Sequence, residues 1–136
     1  MKPQHRTYRI GELAALCGRS VHTIRWYEAQ GLIPGVTRDG GGRRVFRKQH
    51  VSWLELMHRL RSTGMSIAEM REYTALVKDG KGTLKQRRTQ LAAHRESVKA
   101  SVAELKRSLK LIDRKLKFYD DWMRDGKQPA PWWPVK

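Results

Sequence analysis

The stretch Ile10-Gly-Glu-Leu-Ala-Ala-Leu-Cys-Gly18-Arg-Ser20-Val-His-Thr-Ile-Arg-Trp-Tyr-Glu-Ala-Gln30-Gly-Leu-Ile-Pro34 decides how this chain folds. From Ile10 to Cys17, the apolar positions Ile10, Leu13, Ala14 and Leu16 suit one face of a short helix, which Gly18 then breaks. Ser20 is placed to cap a second helix from Val21 to about Gln30. Val21, Ile24 and Tyr27/Glu28 share one side of that helix, and His22, Arg25, Trp26 and Ala29 the other. Gly31 falls where a left-handed residue ends the helix. Two short helices joined by a glycine-containing turn have the outline of a helix-turn-helix.

Downstream, Leu32-Ile33-Pro34 ends the helical pattern, and Arg38-Asp39-Gly40-Gly41-Gly42-Arg43-Arg44 forms a turn rich in arginine. The pattern predicts a β-hairpin, or wing, with strands near residues 35–38 and 43–46. Val51, Leu54, Met57 and Leu60 then recur at helical spacing from Lys48 to about Ser62, and Gly64 closes that helix. Ser66-Ile-Ala-Glu69 is a capping-box pattern opening a fourth helix, which carries Ile67, Met70 and Val77.

Asp79-Gly80-Lys81-Gly82 is a polar connector. Thr83-Leu-Lys-Gln86 repeats the capping-box pattern. Beyond it Leu84, Leu91, Val98, Leu105, Ile112 and Tyr119 fall every seven residues, and Val102, Leu109, Leu116 and Met123 form a second set. Together they predict a coiled-coil seam. Continued backward, the second set meets Arg95 and Arg88, so the seam begins apolar on one side only. Leu111 and Phe118 add a further apolar stripe. A helix of about 40 residues spans roughly 60 Å, too long to fold back on so small a head, and a second copy is the simplest partner for its seam. The tail contains three prolines and cannot be helical.

The expected organisation is therefore a DNA-binding head over 1–78, a connector over 79–83, a dimerisation helix over 84–123 and a tail over 124–136. The fold class is mainly α, a winged helix-turn-helix with a small hairpin wing followed by a long coiled-coil helix. The composition supports a polyanionic partner: 29 Lys and Arg stand against 13 Asp and Glu among 136 residues, a formal charge of +16. The excess is shared, with 14 basic and 7 acidic groups over 1–80 and 15 and 6 over 81–136.

No Ser/His/Asp, Cys/His or paired-carboxylate constellation is present, and the five histidines are scattered, so catalysis is not expected. A single cysteine, Cys17, excludes an intramolecular disulfide and reads as a small buried hydrophobe. The segment MKPQHRTYRIGEL lacks the apolar run of a signal peptide, and no stretch approaches a membrane span. A cytoplasmic, nucleoid-associated protein is the expectation, with no cofactor and no membrane partner.

The order Ile10-Gly11-Glu12-Leu13-Ala14, Thr23-Ile24-Arg25-Trp26-Tyr27-Glu28, Gly31-Leu32-Ile33-Pro34 and Gly42-Arg43-Arg44 resembles the MerR family of bacterial transcription regulators. Leu60-Arg-Ser-Thr-Gly64-Met-Ser66-Ile-Ala-Glu-Met70-Arg-Glu is similar to the same family's third and fourth helices. The resemblance implies a homodimer joined by an antiparallel coiled coil on a pseudo-palindromic promoter element. It also implies distortion of DNA in an overlong promoter spacer so that RNA polymerase can engage. Phe46 stands where the family often has Tyr, and Arg43 where an aromatic is common. The family's metal sensors use cysteines near the start of the coil and in a following loop, and residues 78–84 and 120–136 hold no Cys or His. His58 and Arg59 lie near where thiol-sensing members place a reactive cysteine, and none is there.

The DNA-contact candidates are Arg19, His22, Thr23 and Arg25 on the outer face of the second helix, with Arg38, Arg43, Arg44 and Lys48 in and beside the wing. Trp26 suits either a backbone contact or packing on the wing or next helix. Tyr27 resembles a family DNA-backbone contact, although its position also suits the core. The dimerisation candidates are Leu84, Leu91, Val98, Val102, Leu105, Leu109, Ile112, Leu116 and Tyr119. Arg88, His94 and Arg95 form a possible pocket for an anionic effector, against a solvated flank. Trp122, Trp132 and Trp133 either line an effector site or pin the tail on Leu111 and Phe118. The competing reading of the whole chain is an architectural protein that binds nucleic acid without sequence choice.

Overall fold

A computed structural model describes residues 6–130. The elements run β1 (Thr7–Tyr8), α1 (Ile10–Cys17), α2 (Val21–Ala29), β2 (Thr37–Arg38), β3 (Arg44–Arg47), α3 (Gln49–Ser62), α4 (Ile67–Lys78), a 3-10 turn (Lys81–Thr83) and α5 (Leu84–Asp125). The chain divides into two compact units, one through His94 and one from Arg95 onward. The head's unit thus takes in the connector and the opening turns of α5.

Both early helices form for the reasons read in the sequence. Gly18, at φ +64°, ends α1 in the left-handed conformation that an L side chain resists. The Ser20 hydroxyl accepts the Thr23 N–H at 3.1 Å and caps α2, an arrangement worth about 1 kcal/mol. Ile24 and Tyr27 are the inward positions of α2 and are buried with Leu13, Ala14, Leu32, Phe46, Leu54, Met57, Leu60 and Met70 in one core. The capping box on α4 is present, with Ser66 Oγ accepting the Glu69 N–H and the Glu69 carboxylate accepting the Ser66 N–H.

The sheet departs from expectation. It has three antiparallel strands in the order β1-β3-β2, with Tyr8 facing Phe46 and Thr37 facing Val45. The strands expected near 35–38 and 43–46 are two residues at Thr37–Arg38 and four at Arg44–Arg47. The added strand, Thr7–Tyr8, is too short to show a period-2 pattern.

Thr83 does not open a capping box on α5. Its hydroxyl turns back to the Leu76 and Gly80 carbonyls, at 2.5 and 2.9 Å, and accepts the Arg87 Nε–H at 2.9 Å. Arg87 also donates to the carbonyls of Leu76, Val77 and Gly80. One buried hydroxyl and one cation therefore bond carbonyls at and just beyond the C-terminus of α4, where positive charge is favoured. Arg87→Ala is expected to destabilise the head by about 2 kcal/mol, read from the urea midpoint, because it strips several charge-assisted bonds at once.

In the second unit α5 continues to Asp125, and Leu105, Leu109, Ile112, Leu116 and Met123 are exposed along it. Phe118 is buried. Trp122 stands edge-on to it at 5.8 Å between centroids, and Pro129 and Ala130 line a shallow hollow beside it. Lys117 donates to Asp121 at 2.7 Å and holds that carboxyl below its ordinary range.

Candidate nucleic-acid interface

Between the helix-turn-helix and the wing lies a concavity of about 270 Å³ lined by Arg9, Ile10, Arg25, Arg38, Gly42, Arg43 and Arg44. Five guanidinium groups thus come from four places in the chain: the start of α1, the outer face of α2, β2, and the wing turn with the start of β3. Three of them are held in place. Arg9 pairs with Asp39 at the wing turn, Arg44 pairs with Glu28 on α2, and Arg38 donates to the Gly42 carbonyl at 2.7 Å. Arg25 and Arg43 have exposed side chains with no ion pair or side-chain hydrogen bond among the described residues.

Asp39 organises the turn between the arginines. Its Oδ1 accepts the backbone N–H groups of Gly41 and Arg43, both at 3.0 Å. The Arg9 guanidinium first, and the Arg43 N–H second, hold its carboxyl below the usual carboxylate range. A depressed folded-state value means the contact is fully present above the ordinary value near ~3.9 and is lost only as pH falls through the lower folded one. An NMR titration should therefore find the Asp39 carboxyl titrating below that ordinary value, and Arg9→Ala should raise it. An unchanged Asp39 titration in Arg9→Ala would show that Arg9 does not hold the turn.

The link from α2 to the wing is fixed from the far side. Arg71 on α4 donates to the Gln30 carbonyl at 2.8 Å, Trp53 Nε1 on α3 to the Leu32 carbonyl at 2.6 Å, and His50 Nε2 to the Pro34 carbonyl at 2.7 Å. His50 Nδ1 accepts the Arg47 N–H at 2.9 Å, which sets its tautomer with the proton on Nε2. Its ring meets Phe46 edge-on at 5.9 Å and is 2% exposed. None of these three residues was a candidate in the sequence. A histidine at a helix start and a tryptophan on a helix carry no local mark of the carbonyl they reach.

The remaining candidates separate. His22 is exposed on α2, Lys48 is exposed where α3 begins, and the Thr23 hydroxyl is engaged with Ser20 at 2.9 Å. Arg19 is half-buried in a different hollow, with Leu16, Cys17, Val51, Ser52, Leu54 and Glu55. Burial raises the Cys17 thiol pKa, which keeps it protonated and a poor nucleophile. Tyr27 is 2% exposed, and its hydroxyl is buried with no hydrogen-bond partner among the described residues. The core side of its two readings is the one the fold places. Trp26 packs on the next helix, with the Arg61 guanidinium 4.1 Å above its ring. Phe46 is wholly buried rather than presented from the wing.

Arg88, His94 and Arg95, the effector-pocket candidates, lie in the N-terminal third of α5. His94 Nε2 shares a 2.8 Å hydrogen bond with Thr63 Oγ1, Arg95 pairs with its neighbour Glu96 at 3.3 Å, and Arg88 is exposed. Trp132 and Trp133 lie outside the described residues. Leu91, expected in the seam, packs against the head's core, beside Gln90, which donates to the Glu69 carbonyl at 2.8 Å. Among the described residues no group of three or more His, Cys, Asp or Glu side chains is placed to hold a metal, and no helix is long and apolar enough to cross a membrane.

Comparison with known proteins agrees with this architecture. Residues 8–76 match the model of the MerR HTH family regulatory protein, and residues 51–115 that of the MerR DNA-binding region. An HTH-type transcriptional regulator of Haemophilus influenzae, itself uncharacterized, is 36% identical over 113 residues, covering 83% of this chain and 84% of its own. The crystal structure of HiNmlR, a MerR family regulator lacking the sensor domain and bound to promoter DNA, superposes with a TM-score of 0.79. It is 34% identical and covers 90% of this chain and 97% of that one. A MerR family transcriptional regulator from Bacillus thuringiensis superposes at 0.74 with 27% identity, covering 82% and 98%. The chain belongs to the MerR family of helix-turn-helix, DNA-binding transcription regulators.

Proposed function

We propose that this regulator acts as a homodimer on a pseudo-palindromic promoter element and distorts the DNA within an overlong spacer so that RNA polymerase can engage it. The observation that carries the DNA contact is the arginine concavity between α2 and the wing. Arg25 and Arg43 have side chains available for phosphates, while Arg9, Arg38 and Arg44 are fixed around them. His22, on the exposed side of α2, would reach base edges in a major groove, with Lys48 at its flank. HiNmlR, bound to promoter DNA, supports the same use of the same fold here. The exposed seam of α5 supports a second copy as partner, in a cytoplasmic, nucleoid-associated protein.

Footprinting on the promoter of its own gene tests the reading. A discrete, two-fold symmetric protected site lying between the two polymerase elements is expected, with a hypersensitive position at its centre. Uniform protection along the fragment would overturn it in favour of architectural binding driven by the +16 charge.

A further inference from the structure

Outside its apolar seam, α5 carries one face made almost wholly of cations. At about 3.6 residues per turn, Lys99, Lys106, Arg107, Lys110, Arg114 and Lys117 fall within a sector of about 100°. Ala103 is the only other residue of that sector between Glu96 and Asp121, and Glu104, Asp113 and Asp120 lie outside it. All six cations are exposed, with 67% of the Arg107 side chain and 77% of the Lys117 side chain open to solvent. Lys99 pairs with Glu96, Arg107 with Glu104 and Lys117 with Asp121, each about one turn away. Lys106, Lys110 and Arg114 make no ion pair among the described residues.

We propose that this stripe is a second DNA surface, which holds the phosphate backbone of a duplex segment other than the operator and does so without regard to sequence. This rests on the DNA-binding reading of the head above and goes beyond it, because no residue of α5 takes part in the DNA contact described there.

The spacing of the cations argues for an anion from outside. A helix face that has only to stay hydrated gains from opposite charges three or four residues apart and loses from like ones. Lys106 with Lys110, Arg107 with Lys110, Lys110 with Arg114 and Arg114 with Lys117 are all like pairs at those spacings. The stripe therefore works against its own helix until a polyanion neutralises it. Lysine and arginine alone, with no amide or hydroxyl side chain among them, suit phosphates rather than base edges.

Charge density selects the duplex. From Lys99 to Lys117 the stripe runs roughly 27 Å. One strand of B-form DNA offers about eight phosphates over that length, so the six cations come close to matching it. An acidic protein would draw its affinity from buried apolar anchors, and this sector offers only Ala103. An anionic membrane would need the apolar seam of the same helix to lie in lipid, and the homodimer reading gives that seam to a second copy. A head bound to its operator also keeps other duplex segments of the same DNA at high local concentration, which lets a weak, purely ionic surface contribute.

The test holds the full chain on an immobilised promoter fragment of its own gene and measures capture of a labelled duplex of unrelated sequence. Failure to bind the promoter would overturn the reading above and this one with it; promoter binding without capture overturns this inference alone. Lys110→Gln/Arg114→Gln removes two charges that no internal ion pair uses. It should flatten the slope of log K against log salt for the captured duplex by about two, since each phosphate contact contributes about 0.9. Measured from 1 M salt, that loss raises the Kd of capture about 60-fold at about 0.1 M, while the promoter Kd should stay within about twofold. Unchanged capture in this variant, or an equal loss on the promoter, sinks the assignment. The charge-preserving variant Lys110→Arg/Arg114→Lys should capture as the parent does, and a loss there would trace the effect to the fold of α5 rather than to its charge, which also overturns the proposal. Phosphatidylserine vesicles and poly-glutamate, each matched in charge to the duplex, should compete only weakly. Competition by either as effective as that of unlabelled duplex would assign the stripe to a membrane or to an acidic protein instead.

Discussion

Arg25→Ala/Arg43→Ala is expected to weaken promoter binding about 100-fold and to make it markedly less sensitive to salt. The two side chains line the concavity between α2 and the wing, and neither has an ion pair among the described residues. Their charge is therefore available to phosphates, unlike that of Arg9 and Arg44, which already face Asp39 and Glu28. Each phosphate contact contributes about 0.9 to the slope of log K against log salt. Two residues in each of two protomers should thus flatten the slope by about three to four. Four solvent-exposed ionic contacts of about 0.7 kcal/mol each would add to the 100-fold loss. Gel shifts across 50–300 mM salt measure both quantities. Arg59→Ala is the control, because Arg59 is exposed on α3 and, among the described residues, pairs with Glu55 one turn away. An equal loss in that control would mean that general charge governs binding rather than this concavity.

His50→Ala should cost the head about 3 kcal/mol and lower its melting temperature by roughly 15 °C, read by circular dichroism. One ring makes three contacts: it accepts the Arg47 N–H, donates to the Pro34 carbonyl and packs edge-on to Phe46. Alanine would leave two part-buried backbone groups without these partners, and a cavity beside a wholly buried phenylalanine. His50→Gln is the informative companion, because its amide offers one donor and one acceptor on a chain of similar reach. It should recover part of the loss. A variant as stable as the parent would show that the ring is a passenger.

How far the fold was legible in the sequence depends on how local its causes are. Ser20, Gly18, the Ser66–Glu69 box and the Ile24/Tyr27 face act within one or two helical turns, and the structure places them as the spacing predicts. The wing's turn was legible from its three glycines, but its register and the third strand, β1, were not. Thr7 and Tyr8 pair with residues some forty positions away and carry no periodicity. His50, Trp53, Arg71 and Arg87 were missed for the same reason, since each is recognised only by a distant carbonyl. Leu91 shows the opposite failure. It keeps the heptad phase faithfully, yet it lies where α5 still borders the head, and so it packs there. Periodicity identifies an apolar face without naming what covers it. The candidate interface was legible as a list of cations. That Arg9 lines the same concavity, and that Arg19 lines a different hollow, needed the fold.

The three carbonyls of Gln30, Leu32 and Pro34 are each held by a side chain from α3 or α4. Together they tie the segment leaving α2 to the two helices behind it. With that segment stiffened, the head has little give of its own along the line from α2 to the wing. If two such heads dock as proposed, at a spacing their operator does not naturally offer, compliance would have to come from the double helix. On that proposal the mechanical work of fitting would fall on base stacking and twist rather than on the protein.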